Sequence, residues 1–468
     1  MANPFRKPSK QASRNLDKPP QEPNRKNQIT KNTKENATMP LEYEELVAFI
    51  NNSPTAFHAA TNIRQQLAQS GFSELSEKNS WTLVPGGRYF VTRNSSAIIA
   101  FVCGQQSPWE SGFRILGAHT DSPALRVKPQ AELVREAYVS VRVELYGGTI
   151  VSTWLDRELS LAGRVLIRTK QGLQSSLVNI KRPIAIIPNV AIHMNREVNK
   201  GFEYNPHSHL PAILVAAPGN AKSGAFMELI ASECGVSASD VVDTDLFFYD
   251  ATPARTAGIN SDFIVAPRLD NLAMCHSILK ALENAPNSNH TSAGFFFDNE
   301  ETGSHTFQGA DSSFARHVLE RIVLAQKGSR EEFLRAAARS FLISADMAHA
   351  LHPNFADKHD DKYAPLLNAG PVIKQNGNNR YATTAETSAI FESLCQQCEV
   401  KVQKVINRAD VGCGSTIGPI SSSDLSIPTV DVGNPMWAMH SVRETAGTSD
   451  HGNIIKVFRC FLTDAFKI

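Results

Sequence analysis

This 468-residue chain has no apolar run long enough to cross a bilayer as a helix. It also lacks an excess of either charge. The formal net charge is +1, so nothing points to nucleic acid or an anionic membrane as the main partner. Its N-terminal stretch is basic but has no apolar core segment, so a Sec signal peptide is not expected. Cysteine is scarce, odd in number and scattered: Cys103, Cys234, Cys275, Cys395, Cys398, Cys413 and Cys460. That pattern argues against a disulfide framework and fits a reducing compartment, with the cytoplasm as the expected setting. The single Cys-x-x-Cys, Cys395-Gln-Gln-Cys398, has no second Cys or His pair at zinc-site spacing and falls in a helix-like stretch. There is no His-Glu-x-x-His, no Gly-x-Ser-x-Gly and no P-loop. Gly412-Cys413-Gly414 lacks the later glycine of a dinucleotide fingerprint.

What is present is an ordinary globular composition, 42% hydrophobic and 20% charged, long enough for two or three domains. Residues 1–38 are polar and basic with almost no large apolar side chain, so a disordered tail is expected there. Four short, mostly apolar runs follow, at 97–102, 113–118, 294–297 and 341–345. Helical patterns over 272–283, 312–326, 331–339 and 387–398 alternate with them. Apolar strands between helices imply an α/β fold, a sheet covered by helices on both faces. Between 131 and 262 the pattern changes. Val139, Val141, Val143 and Leu145 alternate with polar residues, and 164–169 and 177–188 also read as strands. The expectation is a β-rich domain, 131–262, inserted between the two parts of an α/β domain, 39–130 and 263–468.

The chemistry concentrates where the apolar runs end. Glu300 and Glu301 follow Gly294-Phe295-Phe296-Phe297-Asp298-Asn299. Adjacent carboxylates at the end of a buried strand repel each other unless a cation neutralises them. A metal hydrolase uses such a pair, one carboxylate on the metal and the other moving a proton. The alternative is a solvated acidic turn. In Gly117-Ala118-His119-Thr120-Asp121, the imidazole is a candidate ligand and Asp121 can bond its other nitrogen. Asp270, in Pro267-Arg268-Leu269-Asp270-Asn271, is a helix-entry carboxylate, either a ligand or an N-cap. Asp346 ends another apolar strand, and His440 follows the strand-like stretch at 428–432 and a Gly-Asn-Pro turn. His440 can also be read as a satisfied core histidine. Carboxylates and imidazoles at several strand ends occupy the place where open α/β sheets put their sites. Oxygen and nitrogen donors without thiolate suit zinc, manganese or cobalt.

The order His119, Asp270, Glu300-Glu301, Asp346, His440 resembles the two-metal aminopeptidases. The surrounding words resemble more closely the M18 family, the group of aspartyl aminopeptidase and yeast vacuolar aminopeptidase I. They include Ser53-Pro54-Thr55-Ala56-Phe57-His58-Ala59, Gly117 to Pro123, Asp298 to Gly303 and Asp346-Met347-Ala348-His349-Ala350. Gly370 to Lys374, Gly414 to Ile420 and Met439-His440-Ser441-Val442-Arg443-Glu444 extend the match, which runs from about residue 41 to 468. The resemblance implies a zinc-exopeptidase-like sheet and two divalent ions per subunit, zinc first, with manganese or cobalt also suited. It implies that Asp270 bridges them, that His119 and Asp346 complete one site, and that Glu301 and His440 complete the other. Glu300 would be the general base and Asp121 the support of His119. Substrate-binding roles fall to His193, His349, Lys374 and Tyr381. Family members assemble through the insert, often as tetrahedral dodecamers, and the residue matching His193 reaches a neighbour's site.

The expected function is therefore removal of N-terminal residues from peptides by a homo-oligomeric metalloaminopeptidase, with Lys374 motivating a preference for Asp or Glu. A related two-metal exopeptidase or deacylase acting on other amides is the nearest enzyme alternative. A catalytically silent, self-assembling scaffold or cargo protein that keeps the fold is the alternative outside enzymes. The intact Glu300 and the complete candidate ligand set argue against it.

Overall fold

A strand that is apolar at every position needs cover on both faces, and the computed structural model, which describes residues 41–465, shows how this is supplied. The tail expected over 1–38 lies outside the described residues. Ala97–Val102 is buried at all six positions. Ile98, Ala100 and Val102 join one core, and Ala97, Ile99 and Phe101 the other. The first core is closed by helices Leu41–Asn52, Ala56–Gln69, Leu269–Glu283, Ala385–Gln397 and Thr448–Phe461. Helices Phe314–Ala325, Arg330–Ala338 and Ile417–Leu425 close the second. The fold is α/β, with helices on both faces of the sheet.

Among the described residues, nine strands make this sheet. Across it they run Ser73–Glu74, Arg88–Arg93, Ala97–Val102, Thr291–Phe297, Phe113–His119, Phe341–Ala345, Thr429–Gly433, Val372–Gln375 and Gln403–Ile406. The four strands from Thr291–Phe297 to Thr429–Gly433 are mutually parallel, so their carboxyl ends open on one edge. Phe295, Phe296 and Phe297 are fully buried. Each contributes roughly 1.5–3 kcal/mol relative to exposure, which anchors a strand that must end in unfavourable acidic residues.

Among the described residues, the second sheet has six antiparallel strands, ordered Gly172–Asn179, Leu159–Thr169, Val241–Asp250, Ala124–Arg135, Tyr138–Tyr146 and Ala212–Ala216. Its core includes Leu125, Val141, Val143, Leu161, Val165 and Phe248, with Phe226 and Ile230 from helix Ala225–Cys234. The sheet starts at Ala124, so residue 131, the expected start of the insert, falls inside a strand. The sheet ends at Asp250, before 262. Arg255–Ala257 pairs instead with Phe263–Ala266. The strand expected over 177–188 stops at Asn179. Lys181 has a positive φ of 61° and Pro183 cannot donate to a ladder, so only isolated bridges follow at Ala185 and Ile186.

A third sheet, Arg255–Ala257, Phe263–Ala266, Glu444–Gly447, Pro435–Trp437 and Ala348–His349, gathers the segments that flank the strand ends. Its parallel register of Ala348 with Pro435 and His349 with Met436 brings the chain after Asp346 beside the chain before His440. Among the described residues, no helix is long and apolar enough to cross a membrane.

Candidate metal centre

His119 is the last residue of its strand, and Glu300 and Glu301 form a single helical turn just beyond Phe297. Asp346 directly follows Ala345. Asp270 enters from the long buried helix, where residues 270 and 271 leave helical geometry, with ψ of 107° at Asp270. The N-cap position belongs to Arg268, two residues earlier, so Asp270 lies inside the first turn and not at the cap. His440 adopts φ 68°, a left-handed conformation that costs a residue with a Cβ roughly 1–2 kcal/mol. Its N–H donates to Glu444 Oε1 at 2.7 Å and its carbonyl accepts from Ile150 N at 3.0 Å, which holds the turn.

The side chains converge around Asp270. His119 Nε2 lies 3.5 Å from Asp270 Oδ1, 3.9 Å from Asp346 Oδ1 and 3.8 Å from Glu300 Oε2. His440 Nε2 lies 3.6 Å from Asp270 Oδ2 and 3.3 Å from Glu301 Oε2. The two oxygens of Asp270 therefore face two different imidazoles. Two ligand groups result, His119–Asp270–Asp346 and Asp270–Glu301–His440, sharing one carboxylate. His119, Glu300 and Glu301 form a third, overlapping group.

Outer contacts aim both histidines. His119 Nδ1 sits 3.1 Å from the Asp121 carbonyl and 3.3 Å from its Oδ1. His440 Nδ1 donates to the Gly148 carbonyl at 3.1 Å. Each Nε2 is left to face the carboxylates, the usual arrangement of metal-ligating histidines. Asp121 also accepts the N–H groups of Glu300 and Glu301, both at 3.1 Å. Glu444 was not singled out by sequence reasoning, although it lies in the last matching word. It accepts from both Asp270 N and His440 N. Tyr146, at the end of an insert strand, was also missed; it donates to Asp121 Oδ2 at 2.8 Å. No local signal marks either residue.

Electrostatics describe a site short of positive charge. Burial, reinforced by Asp346, Asp121 and Asp270 against the pull of His119, pushes Glu300 up to about 8. Burial and then Asp270 push Glu301 well up. Asp270 is itself opposed by burial, yet the neighbouring imidazoles of His119 and His440 hold it far below the carboxylate range. His119 Nε2, Asp270 Oδ1 and Glu301 Oε1 are buried with no hydrogen-bond partner among the described residues. Orphaned donor atoms at the shared centre of an acidic cluster fit bound divalent cations. The donor set is nitrogen and oxygen only. Cys275, the thiol beside it, donates to the His119 carbonyl instead.

The cluster forms the floor of a cleft of about 470 Å³. His349, Lys374 and Tyr381 line it, so three of the four expected substrate residues gather here. Lys374 is buried, its Nζ 3.7 Å from Asp346 Oδ2 and 5.5 Å from the Tyr381 ring centre. His193 does not join them. It sits in an exposed turn of the insert, beside exposed Ile192 and Met194.

Residues 49–462 match the family described as Aminopeptidase I zinc metalloprotease (M18). The chain belongs to the M18 family. It is 48% identical over 419 residues to a probable M18 family aminopeptidase 2 of Pseudomonas entomophila, covering 89% of this chain and 96% of the relative. The solved structure of the Ape4 and Nbr1 complex contains a chain of the same fold at 37% identity and a TM-score of 0.87, covering 90% of this chain and 85% of that one. The mApe1 dodecamer of S. cerevesiae aligns at 28% identity and a TM-score of 0.78, covering 89% of this chain and 95% of that one. As an M18 member the chain is a metal-dependent aminopeptidase, a hydrolase of peptides.

Proposed function

We propose that this M18 aminopeptidase works with two divalent ions, zinc first and manganese or cobalt as substitutes, held around Asp270. The observation that carries the reading is the split of Asp270, with Oδ1 toward His119 and Oδ2 toward His440. His119 and Asp346 complete one half-site; Glu301 and His440 complete the other. Ions held by these residues would supply Lewis acidity that lowers the pKa of a bound water and polarises the scissile carbonyl. Glu300 takes the water's proton at its carboxylate and delivers it to the leaving amine. Asp121 keeps His119 aimed and the Glu300-Glu301 turn in place.

The free α-amine of the substrate is drawn to the acidic floor, which restricts cleavage to N-terminal residues. Lys374 faces the same cleft and favours substrates with N-terminal Asp or Glu. His349 and Tyr381 contact the substrate from the cleft wall. His193, exposed and outside the lining of its own cleft, acts in the cleft of another subunit. The apolar Val190, Ile192 and Met194 around it support burial in a homo-oligomer. Likeness to the mApe1 dodecamer supports a tetrahedral dodecamer. The seven free thiols support a reducing, cytoplasmic setting. A scaffold without catalysis has no use for an intact Glu300 above a complete donor set.

The test is a panel of aminoacyl substrates assayed with metal-depleted protein and with zinc, manganese or cobalt restored. Activity should vanish on chelation and return with metal. Full activity in demonstrably metal-free protein would overturn the two-ion reading.

A further inference from the structure

The connection leaving the insert strand Tyr138–Tyr146 runs against Glu301 and His440 of the metal centre. Tyr146 OH donates to Asp121 Oδ2 at 2.8 Å and accepts from Asn299 Nδ2 at 2.8 Å. Asn299 precedes Glu300 and has φ 65°; its Oδ1 accepts from Thr306 and Gln308. Tyr146 thus ties the insert to the turn that carries Glu300 and Glu301. Gly147, at φ 71°, lies so close to Glu301 that an added Cβ would meet its Cβ at 3.1 Å. A Cβ on Gly148 would meet His440 Nδ1 at 3.3 Å, the same nitrogen its carbonyl engages. Ile150 N then donates to the His440 carbonyl. Within five residues the segment touches Asp121, Glu301 and His440.

We propose that residues 146–150 are a positioning strap by which the inserted domain sets both halves of the metal centre. The inference rests on the two-ion reading. Tyr146 is a positioning residue: it fixes Asp121, and through Asp121 the ring of His119 and the main chain of Glu300 and Glu301. Gly148 fixes the tautomer and tilt of His440. A Cβ at either glycine makes a contact tight enough that Glu301 or His440 must give by a few tenths of an ångström. Outer contacts of this kind typically govern metal affinity by 10–100-fold. Seating of the inserted domain is thereby linked to metal retention, in a protein whose insert also carries the exposed His193 turn.

The experiment compares wild type, Tyr146→Phe and Gly148→Ala as metal-depleted full-length chains. Each is titrated with zinc against a chromophoric chelator, and each metal-depleted protein is melted by circular dichroism. Tyr249→Phe serves as a control: it removes an insert hydroxyl bonded to Asn179 and far along the chain from the strap. Wild type should bind two ions per subunit; failure there would sink the two-ion reading itself. Given two ions, Tyr146→Phe and Gly148→Ala should each bind zinc about 10-fold more weakly. The control should bind like wild type. A purely structural role would lower the melting temperature without moving zinc affinity. Wild-type zinc affinity in either cooperatively melting strap variant would overturn the proposal, so one folded variant suffices.

Discussion

The Glu444 carboxylate accepts the main-chain N–H of Asp270 at 3.1 Å, across 174 residues of sequence. Its other oxygen accepts the N–H of His440. One buried side chain therefore clamps the backbones of the bridging carboxylate and of an imidazole on one side of it. Glu444→Gln keeps the volume but has one acceptor oxygen, so an NH2 group would face one of these N–H groups. The expected loss is about 1–3 kcal/mol of stability, read as a lower denaturation midpoint of the metal-depleted chain. A midpoint equal to wild type would show that the clamp contributes nothing.

Glu300→Gln and Glu301→Gln should separate two roles. The first should keep two ions and lose about 10²–10⁴-fold in turnover, because only the proton-moving group is gone. The second should lose metal, since Glu301 faces His440 across the second half-site. Metal analysis showing Glu300→Gln depleted and Glu301→Gln full would reverse the assignment.

Lys374 is expected to make Asp and Glu the favoured N-terminal residues. Because its ammonium also lies 3.7 Å from Asp346, Lys374→Met should slow all substrates. The ratio of kcat/KM for Asp over Leu removes that shared loss. It should fall by about 100-fold or more, the expected cost of leaving a buried substrate carboxylate unpaired. Wild-type protein that cleaves Leu substrates faster than Asp or Glu substrates ends the idea.

His193→Ala is predicted to be inactive alone, and so is Glu300→Gln. Mixed under conditions of subunit exchange they should regain activity, because a wild-type His193 would then enter a cleft with an intact Glu300. In such a cleft the imidazole is placed to hydrogen-bond the developing oxyanion. A wild-type rate for purified His193→Ala removes it from the reaction.

Acid should weaken the fold through a buried histidine pair. His276 Nδ1 and His451 Nε2 are 2.9 Å apart, both rings fully buried. Burial holds His451 down to about 3 and His276 well below its usual value. Below pH 6.5 the unfolded chain binds protons that the folded pair refuses, so stability is lost as pH falls. At pH 5 the expected loss from His451 is about 2 kcal/mol. Urea unfolding of metal-depleted protein at pH 7.5 and 5.0 measures it. A His276→Leu/His451→Leu chain that loses as much stability as wild type would show the pair is not responsible.

Apolar strands were legible where burial on both faces leaves no freedom of residue type. Ala97–Val102 and Phe341–Ala345 have the bounds that their composition implies. Helix cores were legible from periodicity, while some ends shifted by up to three residues: Leu269–Glu283 reaches back past the expected 272 only across the non-helical Asp270 and Asn271. The six-stranded sheet begins at Ala124, before the expected 131, because Leu125 and Val127 pair into it soon after the His119 segment. Proline and a left-handed Lys181 ended a strand that apolar content alone suggested at 177–188.

By itself the sequence determined the two-faced sheet, the insert's period-two strands and a donor set of imidazoles and carboxylates at strand ends, because these follow from local pattern and side-chain chemistry. Only the tertiary structure decided which Asp270 oxygen faces which histidine, that Glu444 clamps Asp270 to His440, and that Tyr146 reaches Asp121. Those relations join residues up to 174 positions apart. They depend on how the sheets are stacked, which no local periodicity encodes.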